Sequence, residues 1–242
     1  MGILSQQSVA RWPTKKLGVV MANAGSDPDP MTSSTGAACG PKGALTSGYW
    51  QARYDEGTTG WDRGSPSPLL LAWLRDGALA PCRILVPGCG RGHEVLALAG
   101  AGFDVTGLDY APAAVQCVRD SLAAQGLTAA VEEADLFEYQ PERPFDAIYE
   151  QTCLCALSPT RWGCYEKRLA KWLAPGGQLL AAFMQTESET GPPFACPPAA
   201  MRALFAVERW EWPDTLEPVR HPLGLTELCG VLRRRGPGPV AS

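Results

Sequence analysis

The run Arg83-Ile84-Leu85-Val86-Pro87-Gly88-Cys89-Gly90-Arg91-Gly92-His93-Glu94 leaves the chain few folds to choose from. Residues that read as a buried strand pass into a turn with glycine at every second position, and a helix-forming stretch follows at once. Strand, glycine turn and helix in that order form the seat of many nucleotide-bearing ligands, because bare backbone lets a ligand approach the helix start. Seventeen residues past Gly92, after a second apolar run from Phe103 to Leu108, stands Asp109. A carboxylate there can accept both hydrogen bonds of a ribose diol.

Either half alone has a plain reading: an ordinary strand-to-helix turn, and an acid that satisfies free backbone N–H groups. Together they favour an adenosine-type ligand. The turn lacks the third glycine at dinucleotide spacing, which disfavours a nicotinamide cofactor. S-adenosylmethionine has no phosphate. It needs only close backbone approach at its amino-acid end and a carboxylate for its ribose, and this turn supplies both.

At 242 residues the chain can bury one sizeable core. The net charge of −4 hides an asymmetry: residues 1–48 carry four Lys or Arg against two Asp, which leaves −6 for the remainder. Such a balance excludes the basic surface that nucleic acid demands. The longest apolar stretches, such as Gln178 to Met184, are strand length and far short of the roughly 20 residues that span a bilayer. The nine cysteines are odd in number and irregularly spaced, with no Cys-x-x-Cys pair or His cluster. They fit small buried hydrophobes in a reducing, cytoplasmic compartment, with no metal site expected.

From Asn23 to Gly43 the chain is dominated by Gly, Ser, Ala, Pro and Thr without apolar periodicity, so disorder is expected over an extension spanning 1–45. Lys15-Lys16 before Leu17 to Ala24 faintly resembles a signal peptide with a short apolar part, and Met31 offers a later start. A tag, a mis-assigned start and a transit segment all remain open. One domain is expected over 46–235, then a flexible tail over 236–242.

Beyond Pro66 helix and strand signals alternate. Helices are expected over Pro66–Leu79, Glu94–Gly100, Ala111–Gln125, Pro159–Leu173 and Pro198–Leu204. Strands are expected over Arg83–Val86, Phe103–Leu108, Ala129–Glu133, Phe145–Tyr149 and Gln178–Met184, with Ala174-Pro175-Gly176-Gly177 as a turn before the last. Val207–Trp212 and Thr226–Arg233 read as an antiparallel closing pair, Gln185–Pro193 as a polar lid, and Arg233-Arg234-Arg235 as a solvated tail. Such alternation implies an α/β fold with a parallel sheet, whose ligands gather at the carboxyl ends of the strands.

The segment Trp50-Gln51-Ala52-Arg53-Tyr54-Asp55-Glu56-Gly57-Thr58-Thr59-Gly60-Trp61-Asp62-Arg63-Gly64 precedes Pro87-Gly88-Cys89-Gly90, Gly107-Leu108-Asp109, Asp135-Leu136-Phe137 and Phe145-Asp146-Ala147-Ile148-Tyr149-Glu150-Gln151. In that order, over about residues 49–234, these motifs resemble the thiopurine S-methyltransferase family, and most of all its halide and thiol methyltransferase branch. The resemblance implies the class I methyltransferase fold, a Rossmann-like, doubly wound, mostly parallel seven-stranded sheet with an antiparallel edge strand. It implies that Trp50, Tyr54 and Trp61 close over S-adenosylmethionine and that Gly88, with Cys89 and Gly90 in the turn, meets its methionine part. By the same pattern Asp109 holds the ribose beside Tyr110, Asp135 pairs with the adenine amino group, Leu136 lends its N–H and packs the ring, and Gln151 lines the methionine end. Two positions depart from the pattern: Tyr54 stands where Trp is common, and Gln151 where some members have Arg or Tyr.

Aromatic faces suit this ligand on physical grounds, since a sulfonium is a cation and each face attracts it by roughly 0.5–2 kcal/mol. Methyl transfer from it is an in-line displacement that neutralises charge, so a thiolate or halide acceptor needs no base and no catalytic side chain is expected. His93 reads as a helix-start residue, and Cys153 and Cys155 as packing thiols. A monomer acting on a small soft nucleophile is the expected enzyme. Two alternatives stay open: an O- or N-methyltransferase with a base such as Glu150 or His221, and a non-catalytic S-adenosylmethionine-binding protein.

Overall fold

The computed structural model describes residues 45–188 and 190–236; apart from Leu45 and Gly236, the expected extension and tail lie outside the described residues. Helix α1 (Ser47–Asp55) starts where the Thr46 side chain accepts the Tyr49 N–H at 3.3 Å, and α2 (Pro68–Arg75) starts on a proline that has no N–H to leave unpaired. Strand β1 (Arg83–Pro87) leads into α3 (His93–Gly100), and β2 (Asp104–Asp109) into α4 (Pro112–Gln125), which Gly126 closes at φ +63°. There follow β3 (Ala130–Glu133), β4 (Phe145–Gln151), α5 (Trp162–Trp172), β5 (Leu173–Gln185), α6 (Pro198–Leu204), β6 (Trp210–Glu211), β7 (Glu217–Arg220) and β8 (Thr226–Arg234).

The sheet runs β3-β2-β1-β4-β5-β8-β6, with the first five strands parallel and β8 antiparallel to β5. The expected seven positions are present, but the last is shared by two short strands. β6 pairs with Arg233 and Arg234 at one end of β8, and β7 pairs with residues from Thr226 to Cys229 at the other, making eight strands in all. Side chains alternate across β1. Ile84 and Val86 join Val95, Leu98 and Val105 on one face, while Leu85 joins Ile148, Tyr165 and Phe183 on the other. Strand order reverses at β1, between β2 and β4, and it is at such a switch point that open α/β sheets bind ligands.

The structure corrects several expected elements. β5 begins at Leu173 rather than Gln178, because Leu173 already pairs with Phe145 before the register shifts, so Ala174-Pro175-Gly176-Gly177 is an irregular stretch inside the strand. A Cβ at Gly177 would stand 2.9 Å from the Ala174 carbonyl oxygen and 3.0 Å from that of Asp146, which is why a glycine sits there. Pro159–Arg161 is a 3-10 turn ahead of α5, and the expected strand Val207–Trp212 shrinks to β6. The terminal arginines are not a solvated tail. Arg233 and Arg234 belong to β8, Arg234 donates to the Leu173 carbonyl, and the Arg235 N–H donates to the Arg209 carbonyl at 2.8 Å.

Candidate active site

The glycine turn adopts left-handed backbone at all three glycines, with φ of +60° at Gly88, +54° at Gly90 and +77° at Gly92. Cys89 N–H donates to the Leu108 carbonyl at 3.0 Å, which ties the turn to the end of β2, and the Cys89 thiol lies buried under it against Gly107. Cys89 therefore offers the cleft its backbone. Asp109 completes the seat: Oδ2 accepts from Gly90 N–H and Oδ1 from Ala111 N–H, each at 3.0 Å. Burial raises its carboxyl, and these backbone bonds oppose the rise. A carboxylate has about four lone-pair sites, so each oxygen keeps one beyond these backbone bonds.

Loops after β2 and β3 sit beside this turn. The Ala134 N–H donates to the Asp109 carbonyl at 3.0 Å, which brings Asp135 next to it, and Asp135 Oδ1 accepts from Phe137 N–H at 2.8 Å to turn the chain. Leu136 packs against the core beside Phe137. The Tyr110 hydroxyl donates to the Leu45 carbonyl at 2.7 Å, and Ser47 donates to the Tyr110 carbonyl at the same distance, so Tyr110 fastens the start of α1 over the sheet edge.

The aromatic segment closes the seat from above. Trp50 and Trp61 meet edge to face at 5.3 Å between centroids, and Tyr54 and Trp61 at 5.9 Å. A Cβ at Gly90 would lie 3.4 Å from the Tyr54 hydroxyl oxygen, so the tyrosine stands directly over the turn. Burial, with the charge of Asp109 adding to it, raises that hydroxyl and keeps it neutral. Asp62 then fastens the following loop: its carboxylate takes Arg91 Nε at 2.9 Å, His93 Nε2 at 2.8 Å and Gly64 N–H at 2.8 Å. His93 is thus a helix-start residue that also anchors the loop.

Between this loop, the turn and the end of β4 opens a cleft that faces solvent on one side. Trp61, Gly88, Cys89, Gly90 and Gln151 line it, and so do Arg63, Glu94 and Tyr149. Trp50, Tyr54, Asp109, Tyr110, Asp135 and Leu136 do not line it; they gather beside it through the contacts above. The cradle fits the ligand. A Cβ at Gly88 would stand 3.0 Å from Cys153 Sγ, so only glycine leaves bare backbone on the cleft floor without moving Cys153, two residues past β4.

The thiopurine S-methyltransferase family matches residues 45–228. The chain belongs to that family. A probable thiol methyltransferase 2 of Arabidopsis thaliana is 34% identical over 152 residues, covering 62% of this chain and 67% of that one. Thiocyanate methyltransferase 1 of Brassica oleracea is 32% identical over 152 residues, covering 61% and 66%. The chain thus spans about two thirds of the length of these relatives. The 1,6-didemethyltoxoflavin-N1-methyltransferase of Burkholderia thailandensis, solved with its substrate and S-adenosylhomocysteine, shares the fold with a TM-score of 0.65 at 20% identity, covering 81% of this chain and 93% of that one. The chain is an S-adenosylmethionine-dependent methyltransferase of class I fold acting on a small molecule.

Behind the cleft wall formed by Arg63 and Gln151 stands a residue of this methyltransferase that the sequence did not single out. Glu227 is fully buried on β8, and its Oε2 accepts from both Arg63 Nη2 at 2.6 Å and Gln151 Nε2 at 2.8 Å. Gln151 Oε1 accepts from the Tyr149 hydroxyl at 2.8 Å, and Arg63 Nη1 donates to the Arg220 carbonyl at 2.9 Å. A carboxylate directly ahead of the apolar run Leu228-Cys229-Gly230-Val231-Leu232 was the one available signal. Residues 185–188 and 190–193, described parts of the expected lid, do not line the cleft, and neither do Glu150, His221, Cys153 or Cys155. Both cysteines are buried packing thiols.

Proposed function

We propose that this methyltransferase, with residues 46–235 as its catalytic domain, methylates a small soft nucleophile that arrives as an anion: a thiolate or related sulfur species first, with selenium or tellurium compounds and halides in the same class. One observation carries the reading. The two bases that the sequence offers for an oxygen or nitrogen acceptor, Glu150 and His221, are buried and do not line the cleft. The acids and histidine that do line it are engaged, Asp62 with Arg91, His93 and Gly64 N–H, and Glu94 Oε1 with Ser67 N–H at 3.0 Å. Glu150 spends Oε1 on Leu154 N–H at 2.6 Å, and burial, next to the charge of Arg63, lowers His221 to about 4. The names of the plant relatives, a thiol and a thiocyanate methyltransferase, support the same class.

When bound, S-adenosylmethionine supplies a methyl group on a sulfonium, open to in-line displacement. The chain's own work is to seat, orient and dry. Gly88 and Gly90 give bare backbone to the methionine part, Asp109 takes the ribose hydroxyls beside Tyr110, Asp135 and Leu136 hold the adenine, and Trp50, Tyr54 and Trp61 present aromatic faces while excluding water. Replacing Asp109 with alanine is expected to weaken S-adenosylhomocysteine binding about tenfold to a hundredfold, the worth of one to two charge-assisted hydrogen bonds. Calorimetric titration reads this directly, and unchanged affinity would remove Asp109 from the ribose.

The acceptor is tested by methyl transfer to hydrosulfide, a small thiol, thiocyanate and iodide, beside a phenol and an amine. Thiocyanate and iodide are anions throughout, so their rates are expected to stay flat between about pH 6 and 9, while a thiol's rate climbs toward its own pKa of roughly 8.5. A phenol or amine methylated faster than every sulfur acceptor would reverse the assignment. We further propose a cytoplasmic monomer, supported by the scatter along the chain of the large exposed apolar side chains among the described residues, Leu71, Val207 and Leu223. No helix among the described residues is long and apolar enough to cross a membrane.

A further inference from the structure

We infer that Arg63 receives the α-carboxylate of the cofactor's methionine part and that Glu227 is the buried residue that positions it. The inference rests on the cofactor seating proposed above and not on the identity of the acceptor. A carboxylate drawn out of water into a cleft needs a cation or several N–H donors. At the methionine end, where Gly88 forms the floor and β4 the wall, the residue offered by the strand is Gln151, an amide without charge. Its polar groups already hold the Tyr149 hydroxyl and the Glu227 carboxylate.

Two guanidinium groups line the cleft. Arg91 is engaged at the aromatic end: its Nε binds Asp62 at 2.9 Å and its guanidinium carbon lies 5.7 Å from the Tyr54 ring centroid. Arg63 is bound to the same Glu227 oxygen as Gln151, which sets it beside that amide. A guanidinium has five N–H donors, and the bonds to Glu227 and the Arg220 carbonyl use two of them. Its side chain is 11% exposed, so it forms wall rather than surface. Arg63 therefore brings to the methionine end the charge that Gln151 does not.

Glu227 makes this placement firm. It approaches from β8 across the whole width of β5, and the β5 residue opposite Gln151 is the small Ala182, followed two residues on by Met184 opposite Glu227 itself. A larger residue at 182 would stand between Gln151 and Glu227. Held along one edge by a residue with 0% exposure, the guanidinium is oriented before any ligand arrives, which lowers the ordering cost of binding.

The experiment is calorimetric titration of the full chain with S-adenosylhomocysteine and with S-adenosyl-3-thiopropylamine, which lacks only the carboxylate. Wild-type protein is expected to prefer the first at least tenfold. Arg63→Met is expected to erase that preference while binding the decarboxylated compound within about twofold of wild type, and Arg63→Lys to restore part of it. An equal loss for both compounds, or a preference that survives in Arg63→Met, overturns the assignment. Should Arg63→Met not fold, Arg63→Gln carries the same expectation and is overturned by the same results, and equal affinities of wild type for the two compounds overturn the assignment by themselves. Failure of wild type to bind either compound would strike the cofactor seating itself.

Discussion

Gly92→Ala is expected to destabilise the protein by about 2–5 kcal/mol, a large part of the roughly 5–15 kcal/mol that holds a domain folded. Two costs add. Gly92 caps α3 at φ +77°, where a residue with a Cβ loses about 1–2 kcal/mol. The new methyl would then stand 2.6 Å from Cγ2 and 2.9 Å from Cγ1 of Val118, a fully buried side chain in the middle of α4. Valine has one strongly preferred rotamer in a helix and cannot step aside, so α3 and α4 must part, at about 1–3 kcal/mol for such overpacking. Gly77→Ala isolates the first cost, because its φ is +70° but nothing lies within 4 Å of its Cβ position. Urea unfolding of both variants separates the terms. If Gly92→Ala lost no more than Gly77→Ala, the close approach of α3 to α4 would not be what the third glycine serves. Displacing α3 also moves Gly90 from Asp109, so S-adenosylhomocysteine binding should fall together with stability.

That glycine turn was legible in the sequence because every element of it is local. Strand, turn and helix lie within a dozen residues, and Asp109 is reached by one further β-strand. The parallel half of the sheet was legible for the same reason, since buried strands read as continuous apolar runs between glycines. The antiparallel edge was not. β7 contains Pro218 and has no buried residue, so neither propensity nor alternation marks it; it exists because β8 offers a free edge. The cleft wall formed by Arg63 and Gln151, with Glu227 behind it, was hidden by distance. Arg63 and Glu227 are 164 residues apart and Gln151 and Glu227 are 76 apart, and only the order of the sheet brings them to one point.

Glu150→Gln is expected to remove most of the pH dependence of stability between about pH 6.5 and 8. In the folded protein burial pushes the Glu150 carboxyl up to about 8, against an ordinary value of 4.5, even though Leu154 N–H bonds to it. Between those values the native state keeps a proton that the unfolded chain releases, so stability contributed below pH 4.5 is lost as pH rises through 8. His221 acts in the opposite sense. Its folded value is about 4 against 6.5, so the unfolded chain takes up a proton that the native state refuses, and its contribution is lost as pH falls through 4. The two effects oppose one another below pH 6.5, and above it Glu150 acts without that opposition. There the wild-type slope should approach about 1.4 kcal/mol per pH unit, on the order of 2 kcal/mol across the window. Glutamine keeps an oxygen for Leu154 N–H and has no proton to lose, so urea unfolding at pH 6.5 and 8 should give the variant nearly equal stabilities. A variant as pH-dependent as wild type would place the titrating group elsewhere. The same substitution bears on the chemistry. Glu150 fixes the 3-10 turn Leu154–Ala156, which follows Cys153 beneath Gly88, and it does not reach the cleft. Methyl transfer to iodide should therefore survive Glu150→Gln, while an enzyme that used Glu150 as its base for an oxygen or nitrogen acceptor would lose its activity with the carboxylate.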